Sequence, residues 1–438
     1  MPGNRIPAPE RAVRRGLGRA CAPARTALAA LHAALAAGAL AAHGAAAVTP
    51  LSALHRALGR QLALAGPGSS ASVYDVSARQ TLLSARATAM RPPASVEKLY
   101  TATAALERLG PGARTSTEVL GTGALAPEGV WEGSLYLRGG GDPTFGSSSF
   151  IRAHYGGVGA SVSALASQLV RADGIREVTG SIEGDESYLN SVRAGPASGY
   201  APDPFLEGTL SALSFNRGES GSDGGPHAPA TYAARQLYAA LRHAGVRIDG
   251  SVGSAVTPST ARPLAVVNSP TLAQLLGLML PPSDNFFAET LIKDLGARFG
   301  GDGATGAGAA VVRDTIAASF GLRPQVVDGS GLSRADRTST AQIAGLLAAL
   351  ASSPLGAVLR GDLAVVGRTG TLAHRMRGTG AAGRCQAKTG TLVGASNLAG
   401  YCRSARGHVL VFAFFDDGVP IELAHAVQDR MTIALAGY

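Results

Sequence analysis

Lysine is nearly missing from this chain. Of 438 residues only Lys98, Lys293 and Lys388 are lysine, against 36 arginines. A generic surface accepts either cation. A sequence that writes arginine almost everywhere therefore draws attention to its lysines, because arginine effectively never gives up its proton and lysine can. Cysteine is equally scarce, with only Cys21, Cys385 and Cys402, and their spacing excludes a zinc cluster. Aromatic residues make up 5% of the chain and charged residues 16%. There is no basic patch interleaved with aromatics, which argues against a nucleic-acid partner. The chain has no G-x-S-x-G elbow and no H-E-x-x-H pair. Gly301-Asp302-Gly303-Ala304-Thr305-Gly306 has the spelling of a dinucleotide loop but follows a predicted helix instead of a strand, so it reads as a plain loop. Neither a metal nor an organic cofactor is implied.

What is present suits a compact protein: 46% hydrophobic residues over a length that favours two or three domains. Residues 1–48 stand apart. Six arginines and one acid, Glu10, precede an Ala/Leu-rich stretch that ends in Ala45-Ala46-Ala47. Basic, apolar, small is the order of a secretory signal, and it predicts export to the periplasm, cell envelope or exterior. The alternative is a retained anchor, for which the stretch is short; it leaves a loose membrane association open. Without this segment the net charge falls from +9 to +4.

Periodicity predicts strands over residues 71–76 and 81–85, then a helix beginning at Ser95 and stopped by Gly110-Pro111. Residues 112–262 read as an insertion of mainly β character, interrupted by one helix over 230–244. Helices follow over 271–280, 283–295 and 307–320. The end of the chain reads as strands over 386–391, 397–403 and 409–415 and a last helix over 421–436. The fold class is therefore α+β: residues 49–111 and 263–438 form one unit of antiparallel sheet and helices, carrying the insertion. Cys385 and Cys402 flank a predicted hairpin; a cross-strand disulfide and two buried thiols are both open.

Two of the three lysines lie in patterns that carry chemistry. Ser95-Val96-Glu97-Lys98 is an S-x-x-K pattern at a helix start, with Lys98 one turn from the hydroxyl. Ser95 is the candidate nucleophile and Lys98 its base. As a base Lys98 must be neutral near pH 7, about 4 kcal/mol away from its ordinary state; burial and a second cation, Lys388, can supply that. Ser283-Asp284-Asn285 offers a hydroxyl to relay a proton and an amide to hold a peptide. Its rival Ser214-Phe215-Asn216 lies in the insertion and does not begin a helix. Lys388-Thr389-Gly390 falls on a predicted strand, where Gly390 lets a peptide backbone approach and Lys388, Thr389 and Thr391 can bind a carboxylate and an oxyanion. Lys293, in an ordinary helical stretch, reads as a surface residue.

The three patterns in this order make the penicillin-recognising set. In class A β-lactamases the second follows the first closely, whereas here 188 positions separate Ser95 from Ser283. With Gly140-Gly141-Asp142-Pro143-Thr144, Gly184-Asp185-Glu186-Ser187-Tyr188 and Asp328-Gly329-Ser330-Gly331-Leu332-Ser333-Arg334, the chain resembles the D-Ala-D-Ala carboxypeptidase/endopeptidase family of class C low-molecular-mass penicillin-binding proteins. The resemblance implies a transpeptidase-like fold and a serine-type DD-carboxypeptidase, with DD-endopeptidase action as a second activity. Peptidoglycan stem peptides would be its substrates and β-lactam antibiotics its ligands. It also implies that Arg334, and an insertion acid such as Asp185, line a pocket for the stem-peptide side chain. A β-lactamase or esterase on the same scaffold, and a non-catalytic wall-binding protein, are the alternatives. Two look-alikes are set aside: Glu186-Ser187-Tyr188-Leu189-Asn190 precedes the second motif instead of following it, and Arg368-Thr369-Gly370 has arginine in place of lysine.

Overall fold

A computed structural model of the chain describes residues 49–218 and 228–438. The expected signal segment, 1–48, lies outside the described residues.

The principal sheet has six strands, all antiparallel, in the order Ala364–Val365, Cys385–Leu392, Ala395–Arg403, Val409–Asp417, Ser69–Asp75, Gln80–Ala85. The first strands of the chain thus pair with its last. The strand Val409–Asp417 (VLVFAFFDD) explains why. Its side chains alternate between faces: Leu410, Phe412 and Phe414 enter one core and Val411, Ala413 and Phe415 another. A strand covered on both faces reads as a continuous apolar run. One cover is the pair of helices Pro50–Ala65 and Ile421–Gly437, whose Leu54, Leu58, Leu62, Val427, Met431 and Leu435 share a core with the sheet. The opposite face packs on Lys98–Leu109, Leu272–Met279, Asn285–Leu295, Thr305–Phe320 and Thr340–Leu350. Thr49 caps the helix Pro50–Ala65, accepting from the N–H of Ser52 ahead of Pro50. Cys385 and Cys402 face each other across the hairpin and are joined as a disulfide.

While Tyr155, Ala194, Leu206 and Leu210 join the core that holds Lys98–Leu109, described residues from Val119 to Ala265 contribute a third core under two further sheets. One has five strands, in the order Val252–Ser254, Ile182–Asp185, Leu135–Arg138, Ser116–Gly121, Arg262–Asn268; the other has four short ones. This region is less purely β than its sequence suggests. Among the described residues it contains three α-helices, Ser148–Tyr155, Val162–Arg171 and Pro229–His243, of which the sequence predicts only the last. The two extra helices are short, which blurs their periodicity, yet both carry start signals. Ser147 accepts from Phe150 N and Ser161 from Ala164 N, and Val162, Leu165, Ala166 and Leu169 turn one stripe inward.

Candidate active site

The nucleophile candidate stands on a strained turn. Residues Ala94–Glu97 form a single tight turn and the regular helix starts only at Lys98, so the expected helix start at Ser95 is moved by three positions. Ala94 carries φ 48°, a left-handed backbone that a residue with a Cβ enters at some cost. The contortion presents Ser95 at the surface of the site, half-buried, while Lys98 is fully buried behind it. Lys98 Nζ donates to Ser95 Oγ at 3.0 Å, to Asn285 Oδ1 at 2.6 Å and to the Ser330 carbonyl at 2.7 Å.

The second motif is bent in the same way. Ser283 has φ 70°, and Asp284 caps the helix Asn285–Leu295 by accepting from Phe287 N at 3.0 Å. Ser283 Oγ accepts from Lys388 Nζ at 2.7 Å. Asn285 Nδ2 donates to the carbonyl of Phe205, in the inserted region, at 2.7 Å. Lys388 is fully buried on the strand Cys385–Leu392 and also donates to the Thr389 carbonyl at 2.9 Å. Thr389 Oγ1 donates to Thr371 Oγ1 at 2.8 Å, so the Arg368-Thr369-Gly370 look-alike ends beside the site. Gly390 is where this strand meets the nucleophile's turn: a Cβ placed there would lie 2.6 Å from the Pro93 carbonyl and 3.1 Å from Ser95 N. Asn397 Nδ2, from the neighbouring strand, holds the Pro92 carbonyl at 2.9 Å. Sheet and turn are thereby locked so that Ser95, Lys98, Ser283, Asn285 and Lys388 converge on one spot.

Electrostatics refines the expected roles of the two amines. Burial pulls the Lys98 ammonium down to about 8, against the opposing pull of Asp328, Glu289 and Asp284. Burial and then the Lys98 charge push Lys388 well below the ordinary lysine range. Both amines of the site are thus pulled in the direction that a base working near neutral pH requires. Behind Lys98 sits a cluster of buried carboxyls. Glu289 accepts from Gly329 N and Ser330 N, Asp328 from Gly331 N and Ser333 N, and Asp336 from Val327 N. They shape the loop that offers the Ser330 carbonyl to Lys98. Burial, and then the Asp328 charge, push Glu289 up to about 8 and Asp336 up to about 10. Glu97 is fully buried, with no hydrogen-bond partner at either oxygen among the described residues; burial, then Asp336 and Asp328, push its carboxyl well above the ordinary range.

A family model described as the D-Ala-D-Ala carboxypeptidase 3 (S13) family matches residues 53–203 and 225–438. The chain belongs to that family. Among curated relatives, the D-alanyl-D-alanine carboxypeptidase of an Actinomadura species is 30% identical over 86% of this chain and 82% of its own. Among solved structures, penicillin binding protein 4 from Haemophilus influenzae superposes with a TM-score of 0.71 at 21% identity, covering 89% of this chain and 99% of that one. The same protein complexed with a β-lactam gives 0.66 at 21%, over 85% and 97%. These structural likenesses are likenesses of fold.

Within this family member the remaining expected positions divide. Arg334 is exposed and donates to the Val393 carbonyl, in the turn that ends the Lys388 strand, so it lies on the rim of the site. Asp185 is not brought to the cluster. Its buried carboxylate accepts from Ser187 N and Thr257 N; burial pushes the carboxyl up, and those hydrogen bonds outweigh it and hold it below its ordinary range. Asp185 is thus a loop anchor of its own sheet. Lys293 is not a surface residue: it is 1% exposed and donates to the Asn190 carbonyl, Asn190 Oδ1 and the Val192 carbonyl. Burial lowers its ammonium to about 8. It sits two turns beyond the second motif and ties that helix to the inserted region. Arg217 carries no motif of its own in the sequence. The only hint is its place directly after the discarded Ser214-Phe215-Asn216.

Proposed function

We propose that the chain is a serine-type D-Ala-D-Ala carboxypeptidase that acts through an acyl-enzyme on Ser95. The observation that carries this reading is the unbroken chain of contacts from Ser95 Oγ through Lys98 Nζ to Asn285, beside the Lys388–Ser283 pair. A stem peptide ending in D-Ala places its carboxylate on Lys388 and Thr389. That anion favours the charged form of Lys388, and the new cation then favours a neutral Lys98. Carboxylate binding thereby moves a proton from Lys98 to Lys388. Lys98 takes the Ser95 proton as Oγ attacks the carbonyl of the penultimate residue, and the N–H groups of Ser95 and Thr391 hold the oxyanion. The proton that Lys98 took passes through the Ser283 hydroxyl to the departing D-Ala amine as the peptide bond breaks, which leaves Lys98 neutral again. Lys98 then takes a proton from water as its oxygen attacks the acyl carbonyl, and returns it to Ser95 Oγ as the ester breaks.

β-Lactams present a carboxylate next to a strained amide and enter the same site; a solved neighbour in complex with one supports this. Export of the mature chain is supported by the composition of residues 1–48 and by the Cys385–Cys402 bond, which persists in oxidising compartments. On the same reading residues 49–111 and 263–438 form the catalytic unit and 112–262 the insertion. The test is D-alanine release from a pentapeptide ending in D-Ala-D-Ala: the wild type releases it and Ser95→Ala does not. Undiminished release by that variant removes the proposal.

A further inference from the structure

The second motif is held from outside its own unit. Arg217, in the inserted region, lies buried against the start of the helix Asn285–Leu295. Its Nη1 donates to Asp284 Oδ2 at 2.6 Å and its Nη2 to Asp284 Oδ1 at 3.2 Å, a forked pairing with both side chains about a tenth exposed. Its Nε donates to the Glu207 carbonyl at 2.7 Å, and its guanidinium lies 5.1 Å from the centre of the Phe286 ring. Asn216 and Arg217 both have left-handed backbones, φ 49° and 62°, and that unusual course turns the side chain inward.

Asp284 has no contact with Ser95, yet the residues on either side of it do the work. Ser283 meets Lys388 and Asn285 meets Lys98. Ser283 is in a left-handed conformation that its neighbours have to impose. The Glu207 carbonyl held by Arg217 is two residues from the Phe205 carbonyl that receives Asn285 Nδ2. One guanidinium therefore fixes the backbone of the motif and also the loop against which the motif's amide is aligned.

We infer that Arg217 is a positioning residue for acylation: paired with Asp284, it couples the inserted region to the placement of Ser283 and Asn285. The inference rests on the reading of Ser95 as nucleophile and goes beyond it. An ordinary domain-joining ion pair would contribute stability alone. A positioning pair sets the rate of the chemical step in molecules that are already folded.

The experiment measures acylation by a fluorescent penicillin, separating the limiting rate from the half-saturating concentration, with active-site titration and melting temperature on each protein. The variants are Arg217→Ala, Arg217→Lys and Asp284→Asn. Arg193→Ala, which breaks the Arg193–Glu186 pair inside the insertion, is the stability control. For Arg217→Ala the limiting rate per titrated site falls about 30- to 100-fold, the range expected for sub-ångström misplacement of reacting groups. The half-saturating concentration stays within about threefold, Arg217→Lys recovers part of the rate, and Arg193→Ala keeps the wild-type rate while melting lower. A wild-type limiting rate in titrated Arg217→Ala, or an equal fall in Arg193→Ala, overturns the inference. If Arg217→Ala does not fold, Asp284→Asn decides. It keeps an oxygen for the Phe287 cap and loses the charge, so a drop of about tenfold supports the pairing and an unchanged rate refutes it. Failure of the wild type to label on Ser95 would instead strike the nucleophile assignment.

Discussion

Gly390 offers the sharpest perturbation of the site, because one added methyl group touches the machinery without removing any member of it. A Cβ there falls 2.6 Å from the Pro93 carbonyl and 3.1 Å from both Ala94 Cβ and Ser95 N. Ordinary carbon contacts begin near 3.5 Å, so the strand and the nucleophile's turn must separate by roughly 0.9 Å. Neither side yields easily. Asn397 holds Pro92, Ala94 is already strained, and the strand is paired at Gly390 with Asn397 of its neighbour. The separation widens the gap between the N–H groups of Ser95 and Thr391 and moves Lys388 relative to Ser95. A misplacement of about 1 Å costs on the order of 100-fold in rate, so Gly390→Ala should acylate about 30- to 100-fold more slowly. Its overpacking penalty should be about 1–3 kcal/mol, leaving a folded protein. Stopped-flow labelling with a fluorescent penicillin, beside a thermal melt, measures both. Gly59→Ala, where a methyl group meets open space, is the matched control and keeps the wild-type rate. Wild-type acylation by Gly390→Ala would refute the argument that the close approach of strand and turn sets the site.

Other expectations follow from single observations. Burial pushes the Glu97 carboxyl well above its ordinary range, toward the neutral form that Glu97→Gln imitates. Its melt should stay within about 1 kcal/mol and its acylation within about twofold, whereas a tenfold loss would mean that a Glu97 carboxylate takes part. Lys293→Met deletes three hydrogen bonds, to the Asn190 carbonyl, Asn190 Oδ1 and the Val192 carbonyl; denaturant unfolding should report a loss of about 1–3 kcal/mol, and an unchanged midpoint would contradict a structural role for these bonds. In the proposed reaction the proton that Lys98 holds up to about 8 passes to Lys388 and is not lost to solvent. The second-order acylation constant should therefore stay level below about 8 and fall as the pH rises through it. A constant that rises through about 8 would contradict this proton shift between the two amines.

What is legible in this sequence depends on the range of the interactions. Ser95 and Lys98 are three residues apart, and the shortage of lysine is enough to single out Lys98 and Lys388. The apolar run at 409–415 announces a strand covered on both faces, and the cysteines flanking a hairpin anticipate a register in which they pair. Lys293 reads wrongly as a surface residue because a helical stripe tells only which residues share a face; that its face is covered by residues 190–192 comes from contacts about a hundred positions away. Asp185 is misplaced for the same reason, since backbone groups at Ser187 and Thr257 claim its carboxylate. The carboxyls behind Lys98 come from three separate segments, and the pull of Asp328 and Glu289 on its ammonium depends on that assembly. No local pattern encodes that. The two short inserted helices are lost to their length, although their serine caps are in plain view.

The most direct test of the central claim is peptide mapping of the acyl-enzyme. Wild-type protein is incubated with a penicillin, quenched, digested and read by mass spectrometry. The account predicts one penicilloyl group per molecule, on Ser95, absent from Ser95→Ala and formed far more slowly in Lys98→Met. An adduct on any other residue, or none on the wild type, would contradict it.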